Sequence, residues 1–316
     1  MRKIKVKLKV RYFVFGAFYP ALMAGLLVFQ NCAPVSFVPI PQNGNGLNQV
    51  SSTASPICNP LTNGTGVGTG QNGVLTTITY LPPTSSVVTQ TSLSTASFLP
   101  GQPDVQVIPN PVYLNEFSIF TQNFTLGFQT ANGTDVVDLN GNELDQYFSL
   151  QSQGFIGAAT PGAYQFAILS DDGSVFYIGD GQGHFQPLIN NDGSHSNRFS
   201  CAQTVVNVGA NSLIPFQINY YQGPPVRLGL MLFWRIVDPG NSTTMADPLC
   251  PSPQFGTTEG DEYFFGVDPN SGLPVPTTNY DNPAAGSTTG ILNRGWQVVP
   301  AQSFFLTQGT SNPCNN

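Results

Sequence analysis

Charge is what this sequence has least of. Of 316 residues only 27 are charged, 10 Lys and Arg against 17 Asp and Glu, or 9%, where about a quarter is usual. Lysine is absent after residue 9, and no charged residue stands between Arg11 and Asp104. Past Arg11, four arginines (Arg198, Arg227, Arg235 and Arg294) face 17 anions, a net charge of −13. That balance excludes a basic patch and, with it, binding to nucleic acid. Histidine is scarce too: His184 and His195 stand in a stretch rich in Gly, Asn and Asp, without zinc-ligand spacing around them. Neither a nucleophile elbow nor a phosphate loop is present. No stretch keeps a 3.6-residue apolar period for three turns, which argues against long helices.

What remains is apolar and rich in turn formers. Apolar residues make up 40% of the chain, enough for a sizeable core, and 33 Gly with 27 Pro show no collagen-like period. Together they point to many turns and short strands.

The first 31 residues read as an export signal. Arg2, Lys3, Lys5, Lys7, Lys9 and Arg11 precede an apolar run over 12–29, followed by Gln30, Asn31 and Cys32. A basic start, an apolar stretch and a small-residue exit have the shape of a secretory signal. A retained membrane span is the alternative; the run is near the lower length for one and contains Pro20. The terminal Cys32 resembles a bacterial lipoprotein processing site, where the thiol is acylated. Asn31 departs from the small residue usual before that Cys. Ala33 is not the aspartate associated with inner-membrane retention, which points to an outer-membrane or cell-surface address. Residues 32–57 carry no charge and read as a tether, leaving 58–316 as the folded domain. Apart from Cys32 there are four cysteines, Cys58, Cys201, Cys250 and Cys314. In an exported chain these suggest two disulfides, with three connectivities open.

Strand signals recur every 8 to 15 residues. The clearest cover 74–80, 163–169, 175–178, 204–208, 214–221 and 228–237, with weaker ones at 117–128, 145–150, 263–267 and 295–306. Residues 175–178 follow 163–169 at hairpin spacing, and 84–103 read as a long loop. The fold class is all-β, an antiparallel sandwich of the jelly-roll kind with long loops.

The series Gly162-x-Tyr164-x-Phe166-x-Ile168, Ser170-Asp171-Asp172-Gly173, then Gly209, Ile218, Tyr220-Tyr221-Gln222 and 228–234 resembles one family. It is similar to the protective-antigen-type (PA-fourteen) lectin domain of bacterial adhesins, toxins and yeast flocculins. The specific core spans 162–237. The resemblance implies a Ca²⁺ held by Asp171 and Asp172 across a cis peptide bond. It further implies an amide side chain, here Gln222 where Asn is common, and the backbone carbonyls of Pro224 and Val226. It implies the disulfides Cys58–Cys314 and Cys201–Cys250. It also implies a glycan or polysaccharide surface as partner. A sugar on the Ca²⁺ needs hydrogen-bonding or stacking neighbours, for which Asp192, His195 and Asn197 in the 190–198 loop and Tyr221 are the candidates; ordinary polar surface is the competing reading of that loop.

Asp-Asp-Gly is equally a good turn, because Asx side chains cap turns and Gly tolerates positive φ; a plain turn is the competing reading. Tyr220 and Tyr221 read as one core and one surface aromatic, Trp234 as core, and Trp296 as either. The domain as a structural or protein-binding module without a sugar site is the first alternative. A glycan-cleaving enzyme with a carboxylate pair drawn from Glu259, Asp261 and Glu262 is the second. Catalysis is not the expectation. If Cys32 carries lipid, Cys32→Ser expressed in a Gram-negative host should abolish palmitate labelling of the chain; persistent labelling would refute the anchor.

Overall fold

The computed structural model describes residues 55–59, 71–90, 92–124, 135–224, 227–237, 247, 295–307 and 310–315. Cys32, Val226, Cys250, the strand signal at 263–267 and the acidic group Glu259, Asp261 and Glu262 lie outside the described residues.

Among the described residues, fifteen strands form two sheets. The first holds β1 (Ile57–Cys58), β2 (Val74–Tyr80), β3 (Gln106–Val107), β4 (Val112–Leu114), β6 (Phe148–Ile156), β8 (Ser174–Gly179), β9 (Phe185–Asn191), β12 (Ile214–Gln222) and β15 (Phe304–Phe305). Its order is β1-β4-β2-β6-β12-β8-β9, with β3 on β2 and β15 on β6. The second holds β5 (Ser118–Asn123), β7 (Gly162–Asp171), β10 (Arg198–Cys201), β11 (Val206–Val208), β13 (Arg227–Val237) and β14 (Gln297–Val298). Its order is β10-β7-β13-β14, with β11 on β7 and β5 on β13. Every pairing is antiparallel except β1 with β4.

Alternation explains which faces meet. Phe216, Ile218 and Tyr220 on β12 point into the same core as Phe166 and Ile168 on β7 and Leu228, Leu230 and Leu232 on β13. Phe166 and Phe176 meet across the gap with ring centroids 5.3 Å apart. The core is thus the shared interior of two sheets, as in a sandwich.

The strongly apolar 228–234 run does not alternate, and the reason is that the second sheet is buried on both faces. Ala167, Leu169, Phe199, Cys201, Met231, Phe233 and Trp296 form a separate cluster on its outer side. Trp296 is fully buried, so of its two readings core is correct. Its Nε1 donates to Asp247 Oδ2 at 2.7 Å, and the Arg235 guanidinium lies 5.8 Å from the ring centroid. The Asp247 N–H donates to Gln165 Oε1, and Gln165 Nε2 donates to Ala202 O.

One reading is corrected. β7 and β8 are not a hairpin, because β7 belongs to the second sheet and β8 pairs with β12 and β9 in the first. Asp172-Gly173 is where the chain crosses between sheets. The Tyr221 N–H already donates to Gly173 O, so the turn is claimed by β12. Strands β1, β3, β4, β9 and β10 also form where no strand signal was read, and 84–103 contains two 3-10 turns, Ser86–Thr89 and Thr95–Phe98.

Cys58 and Cys314 form a disulfide with Cα atoms 5.5 Å apart, closing a separation of 256 residues. A structural disulfide marks an exported protein. Cys201 is also disulfide-bonded. Peptide mapping without reductant should return Cys58–Cys314 and Cys201–Cys250; a different partner for Cys201 would overturn the second pairing. The double variant Cys58→Ser, Cys314→Ser should lower unfolding free energy by about 5.5 kcal/mol in the loop-entropy account, read from urea denaturation.

Candidate functional site

At the end of β7 the chain runs out of apolar residues. Asp171 and Asp172 follow Ser170, and the peptide bond between them is cis. They are 8% and 6% exposed, unusual for carboxylates. The crossing is tight: a Cβ added to Gly173 would sit 2.5 Å from Tyr221 Cε1 and 2.8 Å from the Gly193 backbone. Only glycine fits there.

Asp172 is held by neutral donors. Its Oδ2 accepts from the Gly223 N–H at 2.9 Å, and its Oδ1 from the His195 N–H at 3.0 Å and Ser194 Oγ at 3.2 Å. Burial pushes its pKa up, and the three hydrogen bonds with the His195 charge only partly oppose this.

Beside it, β12 carries its core-facing alternation one step past the apolar residues, from Phe216, Ile218 and Tyr220 to Gln222. All four are fully buried. The Tyr220 hydroxyl lies 2.7 Å from Asp171 O and 3.1 Å from Gln222 Oε1, so its one proton serves two acceptors. Burial, then the two nearby carboxylates, holds that hydroxyl well above the usual tyrosine range. Gln222 Nε2 donates to Pro224 O at 3.2 Å. Asp171, Asp172, Gln222 and Pro224 are therefore brought together. A cation there would meet carboxylate, amide and carbonyl oxygens. Among the described residues no group of three His, Cys, Asp or Glu converges. That donor set suits a hard cation such as Ca²⁺ and does not suit a soft transition metal.

The loop between β9 and β10 places the other candidates. Asp192 Oδ1 accepts from the Thr95 N–H and Oδ2 from Thr95 Oγ1, each at 2.9 Å, while Oδ1 also accepts from the Gly193 N–H. Its carboxylate is spent on fastening the 3-10 turn at 95–98 to the loop. The nearby Tyr177 hydroxyl is pushed up to about 12 by burial and Asp192. His195 keeps Nε2 2.8 Å from Asn191 O and Nδ1 2.8 Å from Ser196 O, with its backbone N–H on Asp172. Asn197 is 3% exposed and accepts from Thr121 Oγ1 at 2.8 Å. Arg198 Nη2 donates to Asp192 O, and its Nε to Asn191 Oδ1.

Tyr221 is a second correction. It was to be the surface partner of a core Tyr220, yet both are fully buried. Tyr221 faces the opposite side of β12, stacks on Phe98 at 5.2 Å and donates its hydroxyl to Leu93 O. The segment around 81–105 covers it, a long-range arrangement that alternation alone does not reveal. His184 is exposed and paired with Asp180 at 2.8 Å. Sequence reasoning missed Tyr220 as a site residue, although a Gln ending an inward-facing apolar row was a usable signal. It also missed Gly223, Ser194, Thr95 and Thr121, whose roles arise from distant pairing.

No protein-family model matches the chain, and no curated protein matches it. Among solved structures it is similar to a PA14 sugar-binding domain from an RTX adhesin, at 14% identity and TM-score 0.36, over 52% of this chain and 90% of that one. It is similar to the PA14 domain of the MpAFP antifreeze protein at 12% identity and TM-score 0.38, over 53% and 84%. A third is the A domain of epithelial adhesin 6 from Candida glabrata, solved with Galb1-3GlcNAc, at 17% identity and TM-score 0.35, over 59% and 88%. The likeness is one of fold.

Proposed function

We propose that the chain is an exported surface lipoprotein whose sandwich binds glycans through a Ca²⁺ held at Asp171 and Asp172. The observation that carries the reading is the burial of two adjacent carboxylic side chains at a tip where the Tyr220 hydroxyl joins Asp171 O to Gln222 Oε1. Buried carboxylates are rarely tolerated without a counter-charge or a metal. Asp171, Asp172 and Gln222 would hold the cation, with backbone carbonyls around Pro224 and Val226. A bound Ca²⁺ with open positions offers Lewis acidity to vicinal hydroxyls of a sugar. The chain's own part is to fix those oxygens and to shape the rim with Ser194 and His195. Lipid at Cys32 would attach the domain to the membrane. The reading assigns recognition, not catalysis.

A second reading has one observation in its favour. Asp192, Asn197 and Tyr221 are engaged in internal contacts, which removes three of four candidate sugar contacts. A surface module of the same fold that recognises a protein would have that character.

Full-length protein should warm in Tm by about 5 to 10 °C at a hundredfold excess of Ca²⁺ over Kd, from about 2.7 kcal/mol of linkage. Asp171→Asn and Asp172→Asn should each abolish the shift, and Gln222→Ala should reduce it, since water can replace one neutral oxygen. Glycan-array binding should vanish with chelator. Retention of the shift in both Asp variants would overturn the cation site, and chelator-insensitive capture of a protein would favour the second reading.

A further inference from the structure

Asn197 stands immediately before β10, whose register pairs Arg198 with Ser170. One step further along the same antiparallel register sets Asn197 opposite Asp171, and directly opposed residues share a sheet face. On the other flank of β7, Asp171 pairs with Gly229 of β13. Thr121 of β5 lies over that glycine: a Cβ on Gly229 would meet Thr121 Oγ1 at 2.9 Å. The same Oγ1 is hydrogen-bonded to Asn197 Oδ1 at 2.8 Å. Thr121 and Asn197 thus bracket the strand position of Asp171.

The Asn197 amide is incompletely satisfied. It is 3% exposed, and its Nδ2 is buried without a hydrogen-bond partner. A buried donor left so costs free energy. The threonine hydroxyl both donates and accepts, so the amide keeps its Thr121 bond when turned over. Turned over, Nδ2 donates to Thr121 Oγ1 and the carboxamide oxygen takes the unpartnered place. An oxygen there, with a carboxylate as cross-strand neighbour, is satisfied by a cation.

Resting on the cation reading above, we propose that Asn197 is a further oxygen donor to that cation, anchored by Thr121, and not a sugar contact. Ca²⁺ is the ligand class, because the site then holds two carboxylates and two amide oxygens and Ca²⁺ takes about six to eight oxygens.

Calorimetric titration of full-length protein with Ca²⁺ tests this. Asn197→Ala should weaken affinity about tenfold, with a modest fall in the metal-free Tm because the buried Thr121 hydroxyl loses its partner. Asn197→Asp keeps an oxygen at the position and should bind at least as tightly as wild type; it also serves if the alanine variant does not fold. Thr121→Val should weaken binding severalfold by freeing the amide. Wild-type affinity in Asn197→Ala, or a lowered metal-free Tm with the Ca²⁺ increment intact, overturns the inference and leaves the cation reading standing. Weakened binding in Asn197→Asp would overturn it too, showing that the amide donor and not its oxygen matters. Absence of Ca²⁺ binding in wild type removes both.

Discussion

The Tyr220 hydroxyl fastens the two sheets at the end where the acidic residues lie. It rises from β12 in the first sheet and donates to the main chain of Asp171 at the tip of β7 in the second. It is fully buried, so no water competes for its proton. Around this one contact the rest of the site is constrained. Gly173 carries no side chain because Tyr221 and Gly193 fill the space. Gly223 is placed to donate to Asp172 Oδ2, and a Cβ there would lie 3.0 Å from that oxygen. The adjacent tyrosines divide the work: Tyr220 secures the interior, and Tyr221 holds the 81–105 segment against the opposite face.

How much of this the sequence disclosed depends on the range of the interaction. The strand at 74–80 matched β2 residue for residue, and 214–221 and 228–237 each fell one residue short of β12 and β13. In all three, alternation or apolar density is a local property. Asp171-Asp172-Gly173 misled because turn residues between two apolar strands look alike in a hairpin and in a sheet crossing. Only long-range pairing of β8 with β12 separates the two cases. β9 escaped notice because its exposed edge carries Gln186 and Pro187, which weaken a strand pattern although Pro is tolerated on edges. The grouping of Asp171, Asp172 and Gln222 was legible through a family resemblance; the burial of Asn197 and the engagement of Asp192 by Thr95 were not, since their partners lie 76 and 97 residues away.

The near absence of cations shapes the chemistry of the site. Past residue 11 the chain has four arginines and no lysine. Arg198 binds main-chain and amide oxygens of its own loop, and Arg235 lies over Trp296. Asp172 is consequently surrounded by Gly223, His195 and Ser194, donors that carry no fixed charge through the contacts they make. Neutral hydrogen bonds soften the cost of burying a carboxylate without cancelling its field. That field reaches the interior, where both carboxylates help hold the Tyr220 hydroxyl above the usual tyrosine range.

If the domain is held from its N-terminal side, as the proposed lipid at Cys32 would hold it, the disulfide gains a mechanical meaning. β1 is two residues long, and alone it would peel from β4 one hydrogen bond at a time. A pull entering at Ile57 instead reaches Cys58 and passes through sulfur to Cys314. The neighbours of Cys314, Asn312 and Asn315, both donate to the Asn72 carbonyl, two residues before β2. β2 lies inside the first sheet between β4 and β6. Tension therefore arrives at a central strand, where many backbone bonds resist in shear together, and the short edge strand is spared.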